Sequence, residues 1–316
     1  MKNRKSGRPR VVVVGAGAMG SIFGAALDTV AEVVLLDIWA EHVAAIRRDG
    51  LIVEYAGGRT RTIRLAAETD PAAVAGGADL ALIFTKSSAT REAAETARRL
   101  LGADGSALTL QNGLGNADRV SEVLGPDRTL AGITAHGGTV LGPGRVRHAG
   151  EGETHIAGAG PGARPGPVAD LLTRAGIVAS VADDPDALIW GKLVVNAGIN
   201  ALAALLRVPN GALAEVPACD ALMASAVAEA VAVAREKGVA LPYDDPLNHV
   251  RAVCRRTAEN RASMLQDTAA GRTTEVDVIN GAIVREGAKL GISTPVNRML
   301  TDLIHALEAT TRRRLV

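Results

Sequence analysis

Two groups of residues in this 316-residue chain have types and spacings that suit chemistry. The first is Gly15-Ala16-Gly17-Ala18-Met19-Gly20, which follows four valines at positions 11–14 and opens a stretch of small and apolar residues at 21–27. A glycine turn between a strand and a helix is the arrangement that binds a dinucleotide pyrophosphate. Gly15 makes the tight turn, Gly17 lets the backbone approach the phosphates and Gly20 lets helix and strand pack closely, while the N–H groups at the helix start face the anion. The second group is Lys192, Asn196 and Asn200, set in the otherwise apolar segment 188–202. Steps of four along a helix return to nearly the same face, drifting by about 40° each, so the three form one polar stripe. A buried lysine and two amides are costly unless a polar network or a substrate satisfies them. Gly198, between the asparagines, permits close approach of another backbone or of a ligand.

Further groups join these two. Ser263-Met-Leu-Gln-Asp267 and Arg272-Thr-Thr-Glu275-Val-Asp277 place small polar and acidic residues around a turn at Gly271. Glu275 is placed to pair with Lys192 or with a substrate hydroxyl; by spacing alone it also suits a helix N-terminus, where the dipole favours a carboxylate. The histidines at 42, 136, 148, 155, 249 and 305 are widely spaced, and none sits in a metal-binding or nucleophile motif. They read as surface or structural histidines, and no metal site is expected.

The elements that must position these residues follow from the hydrophobic pattern. Strands are expected at 11–14, 33–36, 80–84 and 107–110, alternating with helices through 21–27, 43–46 and 93–101. Such alternation implies a parallel, doubly wound sheet. The strands end at the glycine turn, at Asp37, at Thr85-Lys86 and at Gln111-Asn112-Gly113. Ligands bind beyond the carboxyl ends of parallel strands, so these four polar clusters converge on one crevice. Asp37 lies 17 residues beyond Gly20, where a carboxylate accepts hydrogen bonds from the adenosine ribose and repels a 2′-phosphate. This favours NADH over NADPH unless Arg47 or Arg48 turns toward it. The plainer reading of Asp37 is a turn or helix-capping carboxylate.

From 137 to 166 glycine and proline mix with short alternating pieces at 145–148 and 154–157, which predicts antiparallel strands and loops. Beyond 183–186 the periodicity turns helical, over 189–206, 218–237, 247–266 and 275–290. The expected organisation is a dinucleotide-binding domain over 1–182, with a basic flexible arm at 1–10, and an all-helical substrate and dimerisation domain over 183–316.

Composition narrows the functional classes. Thirty-five Lys plus Arg against thirty-four Asp plus Glu leave a formal charge of +1. No global field then draws nucleic acid or an anionic membrane, and neither is expected as a partner. Two cysteines, Cys219 and Cys254, form no disulfide framework and suit a reducing cytoplasm. The basic residues before the apolar stretch 11–27 imitate a secretory signal, but Gly15, Gly17, Gly20 and Gly24 suit a turn better than an inserting helix. No other segment is expected to approach the ~20 continuous apolar residues of a membrane span. Absence of a fixed-period repeat excludes solenoids and propellers.

Taken together, the glycine turn, Thr85-Lys86, Gln111-Asn112-Gly113, the segment Trp190-Gly-Lys192-Leu-Val-Val-Asn196-Ala-Gly-Ile-Asn200, Ser263-Met-Leu-Gln-Asp267 and Thr274-Glu275-Val-Asp277-Val-Ile-Asn280-Gly281 resemble the ketopantoate reductase family. The resemblance spans nearly the whole chain. It implies an N-terminal Rossmann-type domain and a helical second domain like the C-terminal domain of 6-phosphogluconate dehydrogenase. It implies hydride transfer from NADPH to the C2 carbonyl of a 2-keto acid, ketopantoate giving pantoate for pantothenate biosynthesis. Lys192 would be the proton donor; an unperturbed lysine, with a pKa of about 10.4, is already in acid form at neutral pH. Glu275 would orient the lysine and the substrate hydroxyl, while Asn196, Asn200 and Ser263 would bind the hydroxyl and carboxylate ends. Asn112 would lie at the nicotinamide and the lysine, and Lys86 near the cofactor. Family members that use NADPH commonly carry arginine where this chain has Asp37, and relatives that prefer NADH reduce other 2-keto acids, including bulky ones of the mandelate type. β-Hydroxyacid dehydrogenases also use a lysine with an asparagine four residues on, and a nucleotide-sensing protein without catalysis would keep the fold alone.

Overall fold

Every residue of the valine run is buried because strand side chains alternate between two faces and both faces are covered. Val11 and Val13 pack with Phe23, Leu27, Leu35 and Ile46 on one side, and Val12 and Val14 with Ile83, Ala94 and Ala97 on the other. The computed structural model describes residues 7–310, so residues 1–6 of the expected arm lie outside the described residues. Arg10, the last residue of that expected arm, opens the first strand, and its backbone N–H donates to Asp79 Oδ2 at 2.8 Å.

The chain forms two compact units, one running to Gln111 and resuming over Gly115–Pro185, the other made of Asn112–Leu114 and everything from Asp186 onward. In the first unit the order is β1 (Arg10–Val14), α1 (Ala18–Leu27), β2 (Glu32–Leu36), α2 (Ala40–Asp49), β3 (Leu51–Glu54), β4 (Thr60–Ile63), β5 (Ala66–Glu68), β6 (Ala78–Ile83), α3 (Thr90–Leu100), β7 (Leu101–Thr109), α4 (Asn116–Leu124), β8 (Thr129–Thr134), β9 (Gly137–Gly142), β10 (Arg145–Gly150), β11 (Thr154–Gly158), α5 (Pro165–Arg174) and β12 (Ala179–Val181). Eight strands form one sheet in the order β12-β11-β8-β7-β6-β1-β2-β5. All its pairings are parallel except β8 with β11. The order reverses between β1 and β6, so the glycine turn after β1 sits at the switch point where α/β sheets bind ligands.

A second sheet, ordered β4-β3-β10-β9, departs from the expectation of simple antiparallel closure. Strand β10 runs antiparallel to β9 but parallel to β3, and β11 joins the large sheet instead. Strands β3 and β4 belong to a stretch that periodicity left unassigned.

The second unit is helical: α6 (Pro185–Leu206), α7 (Asn210–Glu215), α8 (Pro217–Glu236), α9 (Pro246–Arg256), α10 (Ser263–Ala269), α11 (Asn280–Leu290) and α12 (Pro295–Ala309). Helix α6 runs through its core, burying Trp190, Leu193, Val194, Ala197, Ile199 and the residues from Ala201 to Ala204. A Cβ on Gly198 would stand 2.8 Å from Val227 and 3.3 Å from Val250, so that glycine admits side chains of α8 and α9 rather than a ligand.

Two expectations are corrected here. The helix predicted over 247–266 is broken after Arg256, because the N–H groups of Asn210 and Gly211 take the carbonyls of Asn260 and Ala258, which are then lost to a helical ladder. Length and composition also allow α6 and α8 to span a bilayer, contrary to the expectation of no such segment. Two thirds of the apolar window of α6 is buried within the protein, as in a core helix.

Candidate active site

In the first unit the three glycines of the turn are distinguished by what surrounds them. Gly15 has φ +97°, a conformation that L side chains rarely adopt, and a Cβ there would lie 2.7 Å from the backbone of Phe84 and Thr85. A Cβ on Gly20 would lie 1.9 Å from the Gly15 carbonyl oxygen. Gly17 differs from both: its φ of −60° and ψ of −164° suit any residue, and a Cβ would meet nothing within 4 Å. It caps the N-terminus of α1 with no side-chain cap and no acidic residue in the first turn. The bare space over Gly17, before an uncapped helix start, is a cradle that would admit a pyrophosphate. The residues present therefore fit a dinucleotide.

Asp37 closes this turn. Its carboxylate accepts from the N–H of Ala16 at 2.6 Å and from that of Trp39 at 2.9 Å, so the turn-carboxylate reading describes part of what it does. The cations nearby in sequence are engaged by other carboxylates: Arg47 lies 3.2 Å from Glu68, and Arg48 lies 2.7 Å from Asp49. Lys86 is exposed just after β6. Beside it Gln111 Nε2 donates to the Thr85 carbonyl at 2.8 Å and its Oε1 accepts from Thr109, which ties the ends of β6 and β7 together. Ala18 and Met19 are the first residues of α1.

The other candidates fall in the second unit, Asn112 included, although its neighbours in sequence belong to the first. The Leu114 N–H donates to the Val278 carbonyl at 2.9 Å, and a Cβ on Gly113 would stand 2.4 Å from that same oxygen. Gly113 has φ +86°, so the turn and the close approach both require glycine. This contact sets Asn112 beside Glu275, with Nδ2 donating to Oε2 at 3.4 Å. Glu275 precedes a single 3₁₀ turn (Val276–Val278) and does not cap it through its side chain. It acts on Lys192 instead, favouring the ammonium, while burial pulls the lysine down from its ordinary 10.5 to about 8. An unperturbed lysine value therefore does not apply.

Along α6 the expected stripe is present, with Asn200 6% exposed. Asn196 Nδ2 and Trp190 Nε1 are buried and have no hydrogen-bond partner among the described residues. A buried amide donor left open is costly, and a ligand acceptor at Asn196 would offset that cost. Ser263 is exposed at the first position of α10. Asn210, not anticipated, has a buried Oδ1 without a partner among the described residues, and its Nδ2 donates to Thr257 at 2.9 Å. No sequence pattern marks it, since only the tertiary contact with 257–260 buries it.

A doubly wound sheet with a pyrophosphate cradle, and a helical unit with a lysine, a carboxylate and amides, define a Rossmann-type oxidoreductase with a helical second domain. Residues 11–161 match the ketopantoate reductase PanE/ApbA family, and residues 184–308 match its C-terminal domain. A 2-dehydropantoate 2-reductase of Halobacterium salinarum is 42% identical over 300 residues, covering 93% of this chain and 97% of that protein. Among solved structures, a PanE/ApbA family ketopantoate reductase from Ralstonia eutropha has a TM-score of 0.86 at 35% identity, covering 96% of this chain and all of its own. D-mandelate dehydrogenase, solved with NADH and anilino(oxo)acetate, has a TM-score of 0.89 at 31% identity, covering 96% and 99%. The chain belongs to the ketopantoate reductase family, a family of oxidoreductases.

The glycines give a paired test. Gly20→Ala should lower Tm by several degrees, since the Gly15 carbonyl cannot move aside without opening the turn. Gly17→Ala should leave Tm within about 2 °C of wild type yet weaken dinucleotide binding roughly tenfold or more by isothermal titration calorimetry. Wild-type affinity in Gly17→Ala would show that no phosphate occupies the cradle.

Proposed function

We propose that this protein is a 2-keto acid reductase of the ketopantoate type, in which the first unit holds a nicotinamide dinucleotide and the second holds the keto acid. The observation that carries this reading is the set of Lys192, Glu275, Asn112 and the unpaired Asn196 amide within one unit. When bound, the dinucleotide supplies the hydride. Negative charge then develops on the carbonyl oxygen, and the Lys192 ammonium neutralises it by giving up a proton to form the 2-hydroxy acid. Glu275 keeps enough positive charge on the half-buried lysine for this and orients it, while Asn112 holds Glu275. Asn196, Asn200 and Ser263 bind the hydroxyl and carboxylate ends. Ketopantoate is favoured as substrate by the relatives of the same name across the full chain. A second reading, a mandelate-type substrate, is favoured by Asp37 together with the likeness to a dehydrogenase solved with NADH.

The cofactor reading is NADH, against the family's expected NADPH. A 2′-phosphate beside Asp37 would meet like charge while Arg47 and Arg48 are held by Glu68 and Asp49. The protein is further read as a cytoplasmic homodimer joined through its helical unit. Leu222 on α8 and Met299 and Leu303 on α12 are large, apolar and exposed. Sedimentation equilibrium at micromolar concentration should give twice the chain mass, and a monomer would remove the dimer.

Lys192→Met should reduce keto acid turnover by roughly 10²–10⁴-fold while folding is kept. In the wild type, reduction needs the ammonium and should fall as pH rises through about 8, whereas oxidation of the 2-hydroxy acid needs the amine and should rise through the same pH. Because the folded pKa lies below the unfolded value, the buried ammonium costs stability below about pH 8. That cost fades between 8 and 10.5, so the stability advantage of Lys192→Met should shrink over this window. A pH profile flat through 8 in both directions would remove Lys192 from proton transfer. Asp37→Asn keeps an acceptor for the Ala16 N–H and removes the charge. It should narrow the NADH to NADPH ratio of kcat/KM about tenfold, and an unchanged ratio would exclude the carboxylate charge as its cause.

A further inference from the structure

Gly191 directly precedes Lys192 in α6, and nothing in its backbone calls for glycine, since its φ is not positive. Glycine inside a helix is unfavourable relative to alanine, so a packing reason is expected. The reason is visible: a Cβ at 191 would lie 2.7 and 2.9 Å from the ring of Pro242 and 3.7 Å from Tyr243 Cε1. The segment between α8 and α9 thus presses into a notch on α6 at the lysine. Tyr243 also donates its hydroxyl to the Gly191 carbonyl at 2.8 Å, and that carbonyl belongs to the peptide whose nitrogen is the backbone N of Lys192.

The tyrosine is itself held from the far side. Its ring stacks on His249, with centroids 4.3 Å apart and planes 13° apart. His249 lies on α9, whose start is fixed by Asp245 accepting from the Asn248 N–H at 3.0 Å. Burial raises the phenol above its ordinary value, so the hydroxyl stays a donor over the whole working range. Burial and Arg256 lower His249, which keeps the stacked ring neutral to lower pH than an ordinary imidazole, and Glu275 is the carboxylate acting on Lys192.

We propose that Tyr243 is a positioning residue for Lys192: its hydroxyl fixes the Gly191–Lys192 peptide and keeps the 242–243 segment seated in the Gly191 notch, which sets the lysine's direction and keeps water from its stem. The part of this that concerns catalysis rests on the reading of Lys192 as the proton donor.

The test is made on the full chain, with Tyr243→Phe, which removes one oxygen and keeps the ring. The chain has six lysines, so lysine-labelled NMR resolves the Lys192 signal, and Lys192→Met assigns it. The wild-type midpoint is expected at about 8. In Tyr243→Phe it should rise by roughly half a unit or more toward the ordinary lysine value as water gains access. Turnover of the keto acid should fall roughly fivefold with KM unchanged. Gly191→Ala, which pushes Pro242 out from the opposite side, should move the midpoint the same way. An unchanged midpoint in both folded variants overturns the proposal, even where Tm or turnover falls, because general loosening would do that without reaching the lysine. Should the wild type reduce no keto acid, the functional reading fails, while the titration still decides whether Tyr243 positions Lys192.

Discussion

An ammonium group held in an apolar helix is the constraint from which the second unit is built. Removing Lys192 from water disfavours its charge. Glu275 opposes that tendency, and the outcome is a group that titrates close to neutrality. Proton donors work best when their pKa lies near the operating pH, and on the proposed role of Lys192 the balance between burial and one carboxylate would suit it to transfer in either direction. The same balance explains why the carboxylate needs a neighbour of its own. Asn112 reaches it from a segment that enters the helical unit for three residues only, and the backbone contact of Leu114 with Val278 fixes that excursion.

Such a site requires α6 to be rigid. Part of that rigidity comes from a fully buried amide network. Asn280 Nδ2 donates to the Ala197 carbonyl and to Asn297 Oδ1, both at 3.0 Å, and Asn297 Nδ2 donates to the Ala226 carbonyl and to Glu229. These bonds join α6, α8, α11 and α12 at the residue after Asn196. The amide donors of this network are all paired, while Asn280 Oδ1 has no partner among the described residues, and the directional bonds specify one arrangement of the four helices more sharply than apolar contacts do. Asn280 follows Glu275 by five residues, so the network that anchors the lysine helix also anchors the chain that carries the carboxylate.

The first unit solves a different problem. Its glycine turn must bend sharply, pack a helix against itself and leave room for an anion, and each demand falls on a different glycine. Asp37 gives the turn a carboxylate that grips the Ala16 N–H, so one side chain serves the shape of the loop and, on the proposed cofactor reading, sets the charge a nucleotide would meet there. A conflict between those duties is avoided because a carboxylate oxygen has capacity for more than one hydrogen bond.

Much of this was legible in the sequence. Four valines buried on both faces, strand ends carrying polar clusters and lysine and asparagine at steps of four are local patterns, and local sterics and periodicity determine them. Other features were not legible. The break after Arg256 depends on N–H groups from Asn210 and Gly211, some fifty residues away in the chain, which outcompete a helical pattern that is sound on its own. The pairing of β3 with β10, the lowered pKa of Lys192, the seating of Asn112 in the helical unit and the contact of Tyr243 with Gly191 are likewise long-range. The sequence by itself determined which residues could do the chemistry and which elements carry the glycine turn and the lysine stripe. Only the tertiary structure decided their partners and their protonation, because hydrogen-bond pairing and desolvation depend on groups that chain folding brings from distant positions.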